Sequence, residues 1–260
     1  MASPAAAASF PAIILFGDSL IEQAYSPGRD GSGATLADAY VRRADVLNRG
    51  LSGYNSDWLL PWLERVLAAQ ISEVLLWVVW VGTNDACLPE FVHHARFVPL
   101  ERYKENICKM IKMIRENERS QHSRILFITP PPIDREMLGK YHRRKGADRS
   151  FDVTAEYAAA VKDLILDLGT DDSHLGVLDF YTVFMKKVAN APLNDEGSPS
   201  LREYLTDGLH LGPKGYQLLY GAFMVHVENH WPEILPKNIP LMVKLPLHIR
   251  PAWPDTDVMA

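Results

Sequence analysis

Cysteine is scarce in this chain of 260 residues: Cys87 and Cys108 are the only two. They cannot form a disulfide framework, and such sparing use fits a reducing compartment. Long apolar runs are missing too, since no stretch approaches the ~18 residues of a membrane span. Met1 to Ser9 is alanine-rich without the basic residues of a secretory n-region. A disordered start over about residues 1–10 and a cytoplasmic protein are expected. Positive charge is not in excess, and a net charge of −5 argues against a nucleic-acid partner. No internal repeat and no Pro/Gly/Ser-rich linker divides the chain, so a single domain over 1–260 is expected, with about 236–260 as a C-terminal extension. There is no Gly-x-Ser-x-Gly elbow, which disfavours an α/β-hydrolase, and no Walker-type or dinucleotide glycine pattern. His93-His94 stands without metal-ligand spacing and reads as surface loop. Neither a cofactor nor a metal is expected.

What is present is a soluble globular composition, 47% hydrophobic and 23% charged, on a chain long enough to bury most of its apolar surface. Ala12 to Phe16 is short, unbroken and apolar, so it reads as a buried strand. A polar, glycine-rich loop over 25–35, long enough to shape a site, precedes a short helix over 36–43 and a brief strand over 45–48. Asn55 or Ser56 can cap the next helix, with Trp58, Trp62 and Val66 on one face beside Leu59, Leu63 and Leu67. Val74 to Val81 is eight apolar residues in a row, the pattern of a central strand covered on both faces. Trp77 and Trp80 lie within it and read as core. A helix over 100–117, a strand over 125–129, a basic irregular stretch over 135–149, a helix over 153–168 and a strand over 175–178 follow. Pro213 suits the first turn of a closing helix that buries Tyr216, Leu219, Tyr220, Phe223 and Val227. Strands alternating with amphipathic helices imply an α/β fold, a three-layer α/β/α sandwich around a five-stranded parallel sheet. Right-handed crossovers put every strand's carboxyl end on one side, where open α/β sheets place their ligands.

Three strand ends carry the chemistry. Phe16-Gly17-Asp18-Ser19-Leu20 leaves a serine just past the first strand, where it is either a helix cap or an exposed nucleophile. Arg49-Gly50-Leu51-Ser52-Gly53 is turn chemistry after the second strand, and Gly82-Thr83-Asn84-Asp85 closes the central one. Near the C-terminus, Asp207-Gly208-Leu209-His210 is either a helix-entry loop or a tight turn that brings a carboxylate to one imidazole nitrogen and aims the other outward. That second arrangement is what a general base requires.

Taken together these four blocks, in this order, resemble those of the GDSL, or SGNH, hydrolase family, and they span residues 16 to 210. The resemblance implies a flavodoxin-like three-layer fold, Ser19 as nucleophile, and His210 as base oriented by Asp207. It also implies an oxyanion hole made from the Ser19 N–H, the Gly53 N–H and the Asn84 side chain. A closer resemblance is to the isoamyl acetate-hydrolysing esterase branch of that family. It rests on Asp45-Val46-Leu47-Asn48-Arg49-Gly50, Asn84-Asp85-Ala86-Cys87, Leu205 to His210, and Pro236-Lys237-Asn238. The implied function is a cofactor-free serine esterase that hydrolyses small acetyl or short-acyl esters through an acyl-enzyme. The alternatives are acyl transfer, thioester or lysophospholipid hydrolysis by the same triad, and a non-catalytic binding module on the hydrolase scaffold. The partner is a small-molecule ester, and monomer and homodimer both stay open. Activity is expected to rise across roughly pH 6–7 as a histidine base loses its proton.

Other residues read more plainly. Asp18 and Asp85 shape loops rather than react. Cys87 is a buried spectator, because nothing nearby would lower its pKa. The cluster Lys140, Arg143, Arg144, Lys145 and Arg149 reads as a solvated loop. The loops 25–35, 88–99 and 130–149 are expected to line the pocket.

Overall fold

The computed structural model describes residues 9–91, 94–141, 147–194, 197 and 199–242. Strand β1 (Ala12–Gly17) is buried along its whole length and runs directly into a single helical turn, α1 (Ser19–Glu22). Two short 3-10 turns, Gln23–Tyr25 and Pro27–Arg29, lead to α2 (Ser32–Ala39) and then β2 (Asp45–Gly50). Next come α3 (Ser56–Ala68), β3 (Val74–Trp80), α4 (Leu100–Glu116) and β4 (Arg124–Ile128). The chain continues with α5 (Arg135–Tyr141), α6 (Phe151–Leu168), β5 (Leu175–Leu178), α7 (Phe180–Lys187) and α8 (Pro213–His230).

The five strands form one parallel sheet in the order β2-β1-β3-β4-β5, with the all-apolar β3 at its centre. Side chains alternate across the sheet, and this divides the core into two layers. Ile13, Leu15, Val78 and Trp80 face α2, α7 and α8 through Leu36, Phe180, Phe184, Tyr216 and Phe223. Ile14, Phe16, Trp77 and Val79 face α3, α4 and α6 through Leu59, Leu63, Tyr103, Ile107 and Tyr157. The expected three-layer α/β/α sandwich is the observed one. Trp77 and Trp80 are both fully buried, on opposite faces, as three residues' separation along a strand dictates.

Local departures have local causes. The stretch 25–35 is not an open loop: a 3-10 turn and the first turn of α2 occupy much of it. The helix expected over 36–43 begins four residues earlier and stops at Ala39. Tyr40 is pulled into the core, where its hydroxyl donates to the Ile234 carbonyl at 2.7 Å. On α3, Leu59, Leu63, Val66 and Leu67 fill the core, while Trp58 is 41% exposed and packs edge-on against Tyr54. Tyr220 on α8 is only partly buried, unlike Tyr216, Leu219, Phe223 and Val227. The stretch read as irregular over 135–149 opens with α5, and α7 was not anticipated; Asp179 caps α7 by accepting from the Thr182 N–H at 3.0 Å.

Register sets the site. Gly17 lies level with Gly50 on one side and with Trp80 on the other, so β1, β2 and β3 end at one rim. A Cβ at Gly17 would sit 2.0 Å from the Trp80 carbonyl oxygen. Only glycine lets the strands close up here, and that closure delivers Ser19 to the rim.

Candidate active site

Ser19 is the first residue of α1 and is 6% exposed. Its approach is fixed by Asp18, whose carboxylate accepts from the Leu20 N–H at 2.9 Å. Ser19 Oγ lies 2.8 Å from His210 Nε2, across 191 residues of sequence. His210 Nδ1 lies 2.7 Å from Asp207 Oδ2. The other Asp207 oxygen accepts from the Leu209 and His210 N–H groups at 3.0 and 2.8 Å. Burial raises the Asp207 carboxyl pKa, but the His210 hydrogen bond and charge and these two amides outweigh it and hold the group at about 2.

The tight turn between Asp207 and His210 depends on Gly208, which sits at φ +93°. A Cβ there would meet the Asp134 carbonyl at 2.4 Å and the Leu138 nitrogen at 2.5 Å. The loop is stitched down on several sides. The Asp134 N–H donates to the Gly208 carbonyl at 2.8 Å, and the Thr206 N–H to the His210 carbonyl at 2.9 Å. Arg29 Nη1 donates to Thr206 Oγ1 at 2.6 Å and to the Leu211 carbonyl at 3.1 Å. Tyr216 on α8 donates to the Leu20 carbonyl at 2.8 Å, tying the closing helix to α1.

The turn after β2 is drawn to the same rim. The Leu51 N–H donates to the Gly17 carbonyl at 2.9 Å. The Glu22 carboxylate accepts from the Ser52 N–H and hydroxyl at 2.7 and 2.6 Å. Asn84, past the end of β3, donates through Nδ2 to the Tyr54 carbonyl at 2.8 Å, next to Gly53. Neither the Ser19 nor the Gly53 N–H donates to a backbone carbonyl among the described residues. The Arg96 guanidinium flanks this turn, 3.3 Å from where a Gly53 Cβ would stand.

Asp18 and Asp85 hold loops, as expected. Asp85 accepts from the Ser56 N–H at 2.9 Å. Both are fully buried, and burial pushes their pKa values up to about 6 and about 7. Cys87 is buried, which raises its thiol, whereas Cys108 is exposed. Arg149 requires a correction. Far from sitting in a solvated cluster, it is 1% exposed and donates to Asn84 Oδ1, Asp148 Oδ1 and the Thr83 carbonyl. Lys140 of that cluster is exposed, while Arg143, Arg144 and Lys145 lie outside the described residues. His93 and the His94 side chain lie outside them as well. Among the described residues there is no group of three or more metal-ligating side chains, and no helix is long and apolar enough to cross a membrane.

A serine, an imidazole and a carboxylate in one hydrogen-bonded line, with an asparagine amide past the end of the neighbouring strand of a parallel sheet, is an arrangement for acyl chemistry. The model of the GDSL-like lipase/acylhydrolase family matches residues 15–218. The chain belongs to this family. It is accordingly a carboxylic ester hydrolase, as its relatives' names also indicate. It is 35% identical to the mouse (Mus musculus) isoamyl acetate-hydrolyzing esterase 1 homolog, over 84% of this chain and 82% of the relative. It is 30% identical to the isoamyl acetate-hydrolyzing esterase of Saccharomyces cerevisiae, over 89% and 92%. Among solved structures, a catalytic mutant of an acetylxylan esterase from Geobacillus stearothermophilus superposes with a TM-score of 0.61. The identity is 16%, and 84% of this chain and 94% of that one are covered. That likeness is one of fold.

Four groups that brace these loops are not legible as such from the sequence: Arg149, Arg29, Glu22 and Tyr216. Each bonds to a partner distant in sequence, and the spacing of Tyr216 marks it only as helix core.

Proposed function

We propose that this esterase hydrolyses small carboxylic esters, acetyl and other short-acyl esters among them, through a covalent acyl-enzyme. Ser19 Oγ attacks the ester carbonyl carbon while His210 Nε2 takes the hydroxyl proton. Asp207 holds the imidazole by Nδ1 and stabilises the cation that forms. The carbonyl oxygen becomes an oxyanion, received by the Ser19 N–H, the Gly53 N–H and the Asn84 amide. Collapse breaks the bond to the alcohol oxygen, which leaves with the proton from His210. Water then attacks the acyl carbon, gives its proton to the same nitrogen, and releases the acid as the proton returns to Ser19. No bound cofactor enters any step.

The observation that carries this reading is the continuous pair of short hydrogen bonds from Ser19 through His210 to Asp207. A serine hydroxyl is a weak nucleophile until a base is in place, and an imidazole 2.8 Å away whose other nitrogen meets a carboxylate supports that role for His210. Substrate class is supported by the name of the yeast relative, an isoamyl acetate-hydrolyzing esterase, and by that of the mouse relative, an isoamyl acetate-hydrolyzing esterase 1 homolog.

The test is a series of p-nitrophenyl esters of increasing acyl length, with wild type and Ser19→Ala side by side. Turnover should be greatest for short acyl chains. It should fall by at least about a thousandfold in Ser19→Ala, as loss of a nucleophile does in comparable triads. A fluorophosphonate probe should label Ser19 in the native protein and not in the variant. Activity that survives the substitution would assign the chemistry to another residue. Added alcohol separates hydrolysis from acyl transfer, since a transferase would form the new ester in place of free acid.

A further inference from the structure

An asparagine serves an oxyanion only with one end of its amide. Nδ2 stabilises the developing negative charge, while Oδ1 in the same place would repel it. The two ends are nearly equal in shape, and the terminal torsion of asparagine is broad. An unrestrained side chain on a loop would therefore spend much of its time turned the wrong way. At Asn84 both ends are engaged. Nδ2 donates one proton to the Tyr54 carbonyl at 2.8 Å, leaving the other for a ligand, and Oδ1 accepts from Arg149 Nη2 at 2.7 Å.

Arg149 is itself held on every side. Its Nε donates to the Thr83 carbonyl at 2.8 Å, and its Nη1 to the Asp148 carboxylate at 2.8 Å. The backbone around it is tied in as well: the Leu88 N–H donates to the Asp148 carbonyl at 2.8 Å, and Ser150 caps α6 through the Val153 N–H at 3.2 Å. A guanidinium 1% exposed, with a carboxylate beside it 7% exposed, is a costly pair to desolvate. Packing alone would be served as well by an apolar side chain. What an apolar side chain could not do is discriminate between the two ends of the Asn84 amide. A cation accepts no hydrogen bond, so the oxygen end is the only one it can hold.

We propose that Arg149 is a positioning residue for the oxyanion site. It locks the Asn84 amide with its nitrogen toward the reacting carbonyl. As a buried cation bonded to Oδ1, it also polarises the amide and strengthens the remaining N–H as a donor. Arg149 touches no reacting atom and works only through Asn84. The proposal rests on the oxyanion role given to Asn84 above.

The test is a double-mutant cycle read in kcat and KM on one short-chain ester, with thermal unfolding measured on every variant. Asn84→Ala should lower kcat by about a hundredfold to a thousandfold, with KM little changed. Arg149→Met is paired with Asp148→Asn so that no buried charge is stranded. The pair should lower kcat by about tenfold to a hundredfold, the range for losing a hydrogen bond to a charged group. In the Asn84→Ala background the same pair should cost less than about twofold, because its target is gone. Arg149→Lys keeps the charge without the fork and should fall between wild type and the pair.

If the paired variant does not fold, Arg149→Lys carries the cycle, with a kcat loss that vanishes beside Asn84→Ala. A loss that persists undiminished in that background overturns the proposal and makes Arg149 a structural residue. So does a loss confined to KM, or a wild-type kcat in the Arg149 variants beside a reduced one in Asn84→Ala. Full kcat in Asn84→Ala is a different result, since it removes the oxyanion role of Asn84 itself.

Discussion

Asp207 is asked to do two things at once, and its two oxygens divide them. Oδ1 takes the Leu209 and His210 amides and so shapes the turn, while Oδ2 meets the imidazole. Asp207→Asn keeps an acceptor for the amides but loses the charge and presents no second carboxylate oxygen to Nδ1. The fold should survive with kcat reduced by about 10⁴-fold, measured with melting temperature in parallel. Asp85 makes a prediction of the opposite kind, in stability rather than rate. Its ordinary value is 3.8, and burial raises it to about 7 in the folded protein. Across that interval the folded state keeps a proton that the unfolded chain has already released, so the Asp85 contribution to stability declines as pH rises from about 4 to about 7. Asp85→Asn cannot titrate. Relative to wild type, its melting temperature should therefore compare better at pH 8 than at pH 5; an equal difference at the two pH values would show that Asp85 is already ionised in the native state. In the sequence Ser19, Asn84, Asp207 and His210 stand out through four short blocks whose order resembles that of the GDSL family, since the serine and histidine blocks alone also read as a cap or a helix-entry loop. Arg149 looked like one more cation in a basic stretch, since its burial is decided by Thr83 and Asn84, more than 60 positions away.

The histidine loop is an element whose conformation is imposed from outside. Gly208 fits only without a side chain, so Gly208→Ala adds both a left-handed backbone penalty and a clash with α5. It should destabilise the protein by roughly 2–4 kcal/mol, combining strain and overpacking, and lower activity in the fraction that stays folded; urea unfolding and kcat measure the two separately. Arg29 braces the same loop from the far side, through Thr206 and Leu211. Arg29→Met should leave the melting temperature within a few degrees while reducing kcat several-fold, because a base displaced by a fraction of an ångström transfers protons poorly. An unchanged kcat would mean that the backbone bonds from Asp134 and Thr206 suffice to hold the loop. Strands were easier to read than helices at this scale. A run such as Val74 to Val81 has only one comfortable environment, whereas α5 and α7 are short and owe their existence to caps and to neighbours. The segment 25–35 shows the same limit: its glycines suggested an open loop, yet tertiary packing winds the chain into short helical turns.

Over the whole molecule, two apolar layers meet on a sheet whose middle strand is buried from both sides. Native-state hydrogen exchange should find the β3 amides exchanging only through global unfolding and those of the exposed residues Glu90 and Ala95 far sooner; comparable rates would mean that the sheet opens piecemeal. The same architecture gathers its reactive groups from opposite ends of the polypeptide, a hydroxyl on the first strand's exit and an imidazole just ahead of the closing helix. On the mechanism proposed above, a chain emerging from a ribosome would carry its serine for most of translation with no base to awaken it. Ester turnover would then report that the far end of the polypeptide has been seated.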